Sequence, residues 1–281
     1  MAELEGVDVS HRNLTIDWTK VKRAGISFAM VKATEGTDWI DPTFTINVSG
    51  ARDAGIVVGV YHFYRHDADP ALQATSFLKA TGHPQPGDLL PALDVEAPGD
   101  GAGPITYSTA NVVRRIGEFV DAVEAALSVA PMIYTYPSAW KEITGNADAF
   151  ASKCPLWIAS YADAPTIPGG WHQQALWQYT DKGTVNGIST IVDRDRTAGD
   201  LAALESLRTR ALAVGEMAVF TQDGNVRAAA SLAARVVGTL PRGTGVVVVD
   251  GPELAKDREW WKVDDGEGVV GWSSGKVLSA G

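Results

Sequence analysis

The chain has 281 residues, of which 45% are hydrophobic and 21% are charged, and its formal net charge is −10 at pH 7. This composition is that of a globular protein with one large domain or two unequal ones. The negative charge excludes nucleic acid as a partner held by bulk electrostatics, and the lone cysteine, Cys154, excludes an intramolecular disulfide or a cysteine-ligated zinc site.

Two features of the chain bear on where the protein acts. It contains no run of 18 or more apolar residues, so we expect no membrane insertion. The first twenty residues carry acids such as Glu3, Glu5 and Asp8 and no apolar segment, so we expect no secretory signal and synthesis in the cytoplasm, unless a leader was removed. We further expect a monomer that needs no cofactor.

Eight short apolar runs alternate with helical patterns over the first 198 residues. The predicted strands lie at 6–10, 28–34, 56–64, 89–96, 131–136, 156–161, 175–180 and 191–196. Near-continuous apolar runs such as IVVGVYHF are typical of strands buried on both faces, as in a parallel sheet. The predicted helices lie at 16–24, after Pro42, after Pro70, from Ser108 to about residue 130, and at 199–213. Eight strands and about five helices indicate an α/β fold, an irregular β/α barrel whose last strands lack full crossover helices.

The character of the chain changes near residue 214. Short β-rich segments (VVVVD, WWKV and GVVGW) alternate with turn signals such as QDGN and PRGTG. These patterns predict a small all-β, SH3-like barrel after the helix at 199–213, which we expect to close the first domain. The predicted domains therefore cover residues 1–213 and 214–281.

The segment LLPALDVE places two acids, Asp94 and Glu96, at the end of the fourth predicted strand. Residues two apart on a strand face the same side, about 6.5–7 Å apart along the backbone. At the carboxyl end of a barrel strand that side opens into the active-site mouth. Paired carboxyl groups, one protonated and one ionised, are what glycoside hydrolysis requires. The alternative is a pair of surface or salt-bridged acids.

Two further acids are predicted at the same mouth. Asp8, in GVDVS, lies at the carboxyl end of the first predicted strand, and Asp193, in IVDRD, lies at the same relative place in the last strand. Because the first and last strands of a closed barrel are neighbours, we expect these acids to meet Asp94 and Glu96 at one rim. Four carboxylates at one mouth repel each other and raise at least one pKa. The alternative for either aspartate alone is an ordinary cap or turn.

The order of several segments along the chain resembles a known family. They are, in sequence, GVDVSHRN, FAMVKATEGT with DPTF after it, AGIVVGVYHFYR, PGDLLPALDVE, MIYTYPSAW, LWIASY, and ALWQYT followed by VDRD. Over about residues 4–205 the chain resembles family 25 glycoside hydrolases, the N-acetylmuramidase type of lysozyme. The resemblance implies hydrolysis of bacterial peptidoglycan at the β-1,4 bond between N-acetylmuramic acid and N-acetylglucosamine.

The resemblance implies Glu96 as the general acid and Asp94 as the second carboxylate, while Asp8 and Asp193 match the supporting acids. The residues expected to bind the substrate are Lys32, Glu35, Tyr61, His62, Tyr134 and Trp177. Two departures from the family are visible: Asp195 replaces a common Asn, and HRN stands where an aromatic residue commonly follows the histidine. Asp94 would stabilise the oxocarbenium-like centre or position the 2-acetamido group of the substrate, and the sequence leaves both alternatives open.

The spacing of His62 and His66 could suggest a metal site, because histidines four residues apart on a helix can ligate one ion. Here they follow a β-type run, so we expect no metal site. We expect His62 instead to point into the barrel mouth and to form hydrogen bonds near the acids.

The tail resembles bacterial SH3-like domains, which accompany wall hydrolases and bind wall components. Trp260 and Trp261 are adjacent in WWKV, so on a strand they face opposite sides. We expect one in the core and the other exposed or lining a groove for cell-wall binding. The alternative is a stabilising or dimerising domain.

Several alternatives to a lysozyme remain. An amidase or peptidase would need zinc ligands or a cysteine–histidine pair, and a chitinase-like barrel would carry a longer acidic run. A catalytically inactive glycan-binding protein is the alternative from another class. The lack of a predicted secretory signal, together with a wall-binding module, favours a phage endolysin, and a bacterial autolysin is the alternative.

Overall fold

The computed structural model describes residues 3–85, 87–127, 129–209, 212–255 and 258–280. The chain divides into two compact units, of which the first takes in most of the chain up to Arg208 and the second most of it from Thr209. The boundary predicted after residue 213 stays a prediction. No helix in the described ranges is long and apolar enough to cross a membrane.

The first unit is built on a closed barrel of eight strands. In chain order its strands are β1 (Glu5–Val9), β2 (Phe28–Glu35), β3 (Trp39–Ile40), β4 (Val57–Phe63), β5 (Ala92–Asp94), β6 (Met132–Thr135), β7 (Leu156–Ala159), β8 (Leu176–Gly183) and β9 (Val192–Thr197). Around the barrel the order is β1, β2, β4, β5, β6, β7, β8 and β9, and the pairing of β9 with β1 closes it. The short β3 pairs with β2. The eight predicted barrel strands are confirmed.

Six helices accompany these strands within the described residues of the first unit. They are α1 (Trp18–Arg23), α2 (Phe44–Asp53), α3 (Pro70–Thr81), α4 (Thr109–Leu127), α5 (Pro137–Thr144) and α6 (Leu201–Ser206). Helix α5 is the one that the sequence patterns did not predict. It begins at Pro137, whose missing N–H costs nothing in a first turn, and Gly145 ends it in the left-handed conformation. Helix α6 is shorter than the predicted helix at 199–213, of which residues 210 and 211 lie outside the described residues.

Strand direction changes at the end of the barrel. The other seven strands of the barrel run parallel to one another, whereas β9 is antiparallel to both β8 and β1. Residues 184–191 join β8 to β9, and a parallel crossover takes a dozen residues or more. β9 therefore starts at the rim where β1 ends, and Asp193 stands opposite Asp8. The prediction that Asp193 lies at the carboxyl end of its strand is wrong, but the reversal brings it to the same rim.

Alternate residues of the barrel strands form two separate cores. One fills the barrel and contains Phe28, Met30, Tyr61, Ala92, Met132, Tyr134, Trp157 and Leu176. The other lies between the strands and helices α1 and α2 and contains Val7, Val9, Ala29, Val31, Val58, Trp18, Val21, Val48 and Ala51. On β4, Tyr61 thus faces the interior and Val58 faces the helices. Because residues two apart share a side, this alternation sets the direction of the side chains at the strand ends.

The second unit is a seven-stranded antiparallel sheet, which confirms the predicted all-β fold of this part. Its strands are β10 (Met217–Phe220), β11 (Gly224–Arg227), β12 (Val236–Leu240), β13 (Gly245–Leu254), β14 (Glu259–Asp264), β15 (Val270–Ser274) and β16 (Leu278–Ala280). The buried residues that form its core include Ala218, Phe220, Val226, Val246, Val248, Trp261 and Val263.

Both tryptophans of β14 are buried. Trp260 is 2% exposed and Trp261 is 7% exposed, and Trp261 belongs to the core of the unit. The prediction that one of them is exposed or lines a groove is wrong, because both faces of β14 are covered at this point. Neither indole N–H has a hydrogen-bond partner among the described residues.

Candidate active site

Asp94 is the last residue of β5 and Glu96 lies two residues beyond it. Asp94 is 6% exposed, and its Oδ1 has no hydrogen-bond partner within the described part of the chain. Burial raises the pKa of Asp94 well above its usual range, and the charge of Glu96 raises it further. Burial also raises the pKa of Glu96, to about 7, and the charges of Asp100 and Asp193 add to this effect. The pair therefore keeps at least one proton near neutral pH.

Strands β1 and β9 bring three more acids to the barrel interior. Burial raises the pKa of Asp8 well above its usual range, and the charges of Asp193 and Asp195 add to the rise. Burial and the charge of Asp181 raise the pKa of Asp193 to about 6. Asp195 is fully buried, which raises its pKa to about 8, although the Trp157 indole donates a hydrogen bond of 2.7 Å to its Oδ1. Like charges this close in a buried site cannot all ionise at neutral pH.

Lys32 supplies a positive charge beside the acids. Its Nζ lies 2.9 Å from Oε2 of Glu35, and Arg65 Nη1 lies 3.5 Å from the other oxygen of the same carboxylate. The Lys32 ammonium opposes the effect of burial, because it lowers the pKa values of Asp94 and Glu96. The predicted substrate-binding residues Lys32 and Glu35 therefore lie at the site as an ion pair.

Two tyrosines of the barrel interior lie among the acids. Burial raises the pKa of the Tyr61 hydroxyl, and the charges that add to this effect are those of Asp8, Asp94, Asp193 and Glu96. The Tyr61 ring also contacts the Trp157 ring edge to face, with centroids 5.9 Å apart. The hydroxyl of Tyr134 donates a hydrogen bond of 3.1 Å to Oε1 of Gln178. Tyr61 and Tyr134 thus occupy the positions expected of residues that touch a substrate.

Gln178 is a site residue that sequence reasoning missed. It is 3% exposed on β8, two residues from the interior residue Leu176. Its Nε2 donates a hydrogen bond of 2.8 Å to Oδ2 of Asp8, and its Oε1 also accepts from the Tyr161 hydroxyl at 2.9 Å. The signal was present in LWQYT, because a polar residue two positions after a buried leucine shares its side of the strand.

The expectation that His62 points into the barrel mouth is wrong. Its neighbour Tyr61 faces the interior, so His62 faces the helices, and its ring stacks on Phe119 with centroids 4.9 Å apart. The two ring nitrogens lie 2.7 Å from the Thr34 hydroxyl and 3.1 Å from Oε1 of Gln73. Burial lowers the pKa of His62 to about 4, so the ring is neutral and serves packing rather than the site.

The expectation that Trp177 lines the sugar groove is also wrong. It is adjacent to Gln178, whose side chain faces the interior, so the Trp177 ring lies on the opposite face of β8. There it contacts Tyr179, and the Arg196 guanidinium lies 5.3 Å from its centroid. Its indole N–H donates to the carbonyl oxygen of Ser160 at 2.7 Å. These contacts leave the ring 7% exposed.

The histidine of HRN is held at the edge of the same region. Nδ1 of His11 lies 2.9 Å from Oδ2 of Asp41, and its ring packs edge to face on Trp39 with centroids 5.2 Å apart. The Lys32 ammonium lies 5.2 Å from the Trp39 centroid. The Trp39 indole therefore contacts both the His11 ring and the Lys32 ammonium.

The fold and the site together define a class of enzyme. The barrel interior ends at a rim that carries two adjacent carboxyl groups, Asp94 and Glu96, and at least one of them is protonated near neutral pH. Glycoside hydrolysis uses such a pair, since one group must donate a proton to the leaving oxygen while the other stays ionised. A β/α barrel with this rim has the arrangement that a glycoside hydrolase requires.

Comparisons with known proteins agree with this class. The model of glycosyl hydrolases family 25 matches residues 7–188, and that of the bacterial SH3 domain matches residues 222–279. Lysozyme M1 of Streptomyces globisporus is 38% identical over 208 residues, which are 73% of this chain and 71% of that protein. The N,O-diacetylmuramidase of a Chalaropsis species is 35% identical over 215 residues, or 73% of this chain and 99% of that protein. The solved structure of a bacterial lysozyme from Streptomyces coelicolor has a TM-score of 0.71 and 37% identity, and covers 74% of this chain and 98% of its own.

The chain belongs to glycosyl hydrolase family 25. It is a lysozyme of the muramidase type, a peptidoglycan hydrolase, and it carries a bacterial SH3 domain. Of the residues predicted for the site, the structure gathers Asp8, Lys32, Glu35, Tyr61, Asp94, Glu96, Tyr134 and Asp193 on one side of the barrel wall. His62 and Trp177 lie on the other side of it.

Proposed function

We propose that Glu96 protonates the departing glycosidic oxygen and that Asp94 stabilises the positive charge that develops on the sugar ring. The observation that carries this assignment is the pair at the end of β5, in which Glu96 keeps a proton close to neutral pH. A general acid works best when its pKa lies near the working pH. The bond cut is the β-1,4 bond between N-acetylmuramic acid and N-acetylglucosamine in the glycan strand.

The positions of the two carboxyl groups support this division of roles. Glu96 lies past the end of β5 and is partly exposed, so it can reach a leaving oxygen at the rim. Asp94 lies two residues before Glu96, inside β5, and is buried. Burial disfavours its ionised form until a positive charge develops next to it. An oxocarbenium-like transition state supplies that centre, so Asp94 binds the transition state better than the ground state. Asp94 acts either on the ring directly or through the 2-acetamido group of the substrate.

The remaining polar residues of the interior support the pair. Asp8 and Asp193 flank the site from β1 and β9, and the charge of Asp193 raises the pKa of Glu96. Lys32 opposes that influence, because its charge lowers the pKa values of Asp94 and Glu96. Tyr61 and Tyr134 present rings and hydroxyl groups to a bound sugar.

The variant Glu96→Gln tests the assignment. It keeps the shape of the side chain and removes the proton donor, so turnover of peptidoglycan should fall by about 10²–10⁴-fold. Its Tm should be equal to or above that of the wild type, because a buried ionisable group has been removed. Glu118→Gln, at an exposed carboxylate on α4, is the matched control and should keep full activity. Activity of Glu96→Gln within tenfold of the wild type would reject Glu96 as the general acid.

We further propose that the bacterial SH3 domain binds the cell wall and that the enzyme acts there after synthesis in a cytoplasm. The match of residues 222–279 to that domain supports the first statement. Trp260 and Trp261 are buried, so the wall must contact other residues of the unit. Val247 and Val249 on β13 are each 39% exposed and alternate with buried valines, so they present an apolar row to solvent. The phage origin, with a bacterial autolysin as the alternative, stays a prediction.

A further inference from the structure

Asp195 has surroundings that are unusual for a carboxylate. It is fully buried on β9, and the Trp157 indole donates to its Oδ1 at 2.7 Å. No N–H or hydroxyl group among the described residues donates to its Oδ2, which is also buried. The carboxyl group of Asp8 lies within hydrogen-bonding reach of Asp195 and also of Asp193, which stands opposite it across the β1–β9 pairing. A buried oxygen that lacks a hydrogen-bond donor costs free energy, and a protonated Asp8 can supply that donor to Oδ2 of Asp195.

Two carboxyl groups can form a hydrogen bond with each other only when one of them carries a proton. We propose that Asp8 and Asp195 share a single proton, and that Asp195 is a positioning residue that holds Asp8 in place at the rim through this proton. Gln178 Nε2 donates to Oδ2 of Asp8 at 2.8 Å, and because each carboxyl oxygen has two lone pairs, Asp8 can bind Gln178 and Asp195 at the same time. The inference rests on the proposed function in one respect, namely that Asp8 belongs to the active site.

The groups around the pair favour a shared proton. They are Glu5 from β1, Asp193 from β9, the Trp157 indole from β7, the Gln178 amide from β8, and the hydroxyls of Tyr61, Tyr134 and Tyr161. Two of these groups are acids, and the others are neutral at physiological pH. A second negative charge on the pair would therefore be disfavoured both by burial and by repulsion from the two neighbouring acids.

The sign of the pH effect follows from the burial of Asp195. Burial raises its pKa to about 8, whereas an aspartate in an unfolded chain titrates near 3.9. Between these two values the folded protein binds more protons than the unfolded chain, so its stability falls as the pH rises through this range. Asparagine at position 195 has no proton to lose, and its amide can donate to Asp8 in place of the shared proton.

The first test is the Tm of the wild type and of Asp195→Asn from pH 4.5 to pH 9. The Tm of the variant minus that of the wild type should increase by roughly 5 °C or more over this range. Asp8→Asn should show the same trend, because it also replaces the shared proton with an amide donor. Asp53→Asn, at an exposed residue of α2, is the control, and its difference from the wild type should stay flat. A flat difference for both Asp195→Asn and Asp8→Asn would overturn the shared proton.

The second test separates a positioning role from a structural one. The ratio of kcat/KM of Asp195→Asn to that of the wild type should be near one at pH 5.5, and should rise to about tenfold by pH 9. At that pH only about a tenth of a group with a pKa of about 8 keeps its proton. The ionisation of Glu96 occurs in both proteins and cancels in the ratio. A ratio that does not change with pH would overturn the positioning role.

The Tm measurement needs no catalysis, so it is independent of the assignment of Glu96. Retained turnover in Glu96→Gln, together with a Tm difference that rises with pH, would reject the proposed mechanism and support the shared proton. Loss of turnover in Glu96→Gln, together with a flat Tm difference, would support the mechanism and overturn the inference.

Discussion

The side-chain amide of Gln178 donates a hydrogen bond of 2.8 Å to Oδ2 of Asp8, 170 positions away in the sequence. The carbonyl oxygen of the same amide accepts from Tyr134 at 3.1 Å and from Tyr161 at 2.9 Å. One buried glutamine on β8 thus connects this strand with β1, with β6 and with the residues that follow β7. Because an amide carries both donors and an acceptor, it can orient an acid and two hydroxyl groups at once.

Gln178→Leu should therefore lose both stability and activity. The change removes one hydrogen bond from Asp8 and one from each of two hydroxyl groups, and each such loss costs about 1–3 kcal/mol. We expect a lower free energy of unfolding in urea and a kcat/KM on peptidoglycan reduced by about tenfold or more. Gln178→Glu is the paired variant, since it keeps the shape but places another acid beside Asp8. Its activity should recover in part below pH 5, and equal activity of both variants at every pH would contradict this role.

Lys32→Met should shift the whole pH profile of kcat/KM to higher pH. The Lys32 ammonium favours the ionised forms of Asp94 and Glu96, so its loss raises both pKa values. The acid limb, set by the group that must be ionised, and the alkaline limb, set by the proton donor, then shift in the same direction. Lys32→Arg keeps the charge and should leave both limbs close to those of the wild type. Unmoved limbs in Lys32→Met would show that the cation does not control the pair.

Trp177→Phe should change stability without changing substrate binding. The ring lies on the outer face of β8, so the variant loses the hydrogen bond to Ser160 and part of the contact with Arg196. We expect the free energy of unfolding to fall by about 1–2 kcal/mol and KM to stay within about twofold. Tyr134→Phe, on the interior face, should instead lower kcat/KM. A several-fold rise of KM in Trp177→Phe alone would mean that the ring stacks on sugar.

A chain that ends after residue 213 tests the role of the SH3 domain. It should bind isolated wall sacculi more weakly than the full chain, while its hydrolysis of small soluble fragments stays unchanged. The second measurement also reports that the barrel is folded without the second unit. In the full chain, Val247→Ser with Val249→Ser should weaken sacculus binding more than Val236→Ser on β12, which is 40% exposed. Unchanged sacculus binding by the shortened chain would contradict wall targeting.

The sequence predicted the positions of the strands better than the directions of their side chains. Most of the barrel strands were recognisable because they lie in buried apolar runs, and even the three-residue β5 lies inside such a run. Tyr61 and His62 were both expected to bind substrate, yet neighbours on a strand face opposite sides. Which of the two faces the interior depends on how the helices pack, and this is a property of the fold that a period-two pattern does not contain.

The direction of β9 and the contacts between residues distant in sequence could not be predicted for a similar reason. Nothing in VDRDRT reveals that β9 runs antiparallel, so Asp193 was expected at the wrong end of its strand. The hydrogen bond between Trp157 and Asp195 joins residues 38 positions apart and depends on the barrel being closed. The acids themselves were predictable. Burial of a charged residue costs free energy, so an acid inside an apolar run indicates a functional role.

The central claim is tested most directly by the chemistry of the cut. Purified peptidoglycan is digested with the full chain, the new sugar ends are reduced with borohydride, and the products are identified by mass spectrometry. Our account predicts reduced muramic acid at the new ends, and its loss with Glu96→Gln. Reduced glucosamine would move the cut to the other glycosidic bond, and peptides released without new sugar ends would contradict the assignment of this barrel as a muramidase.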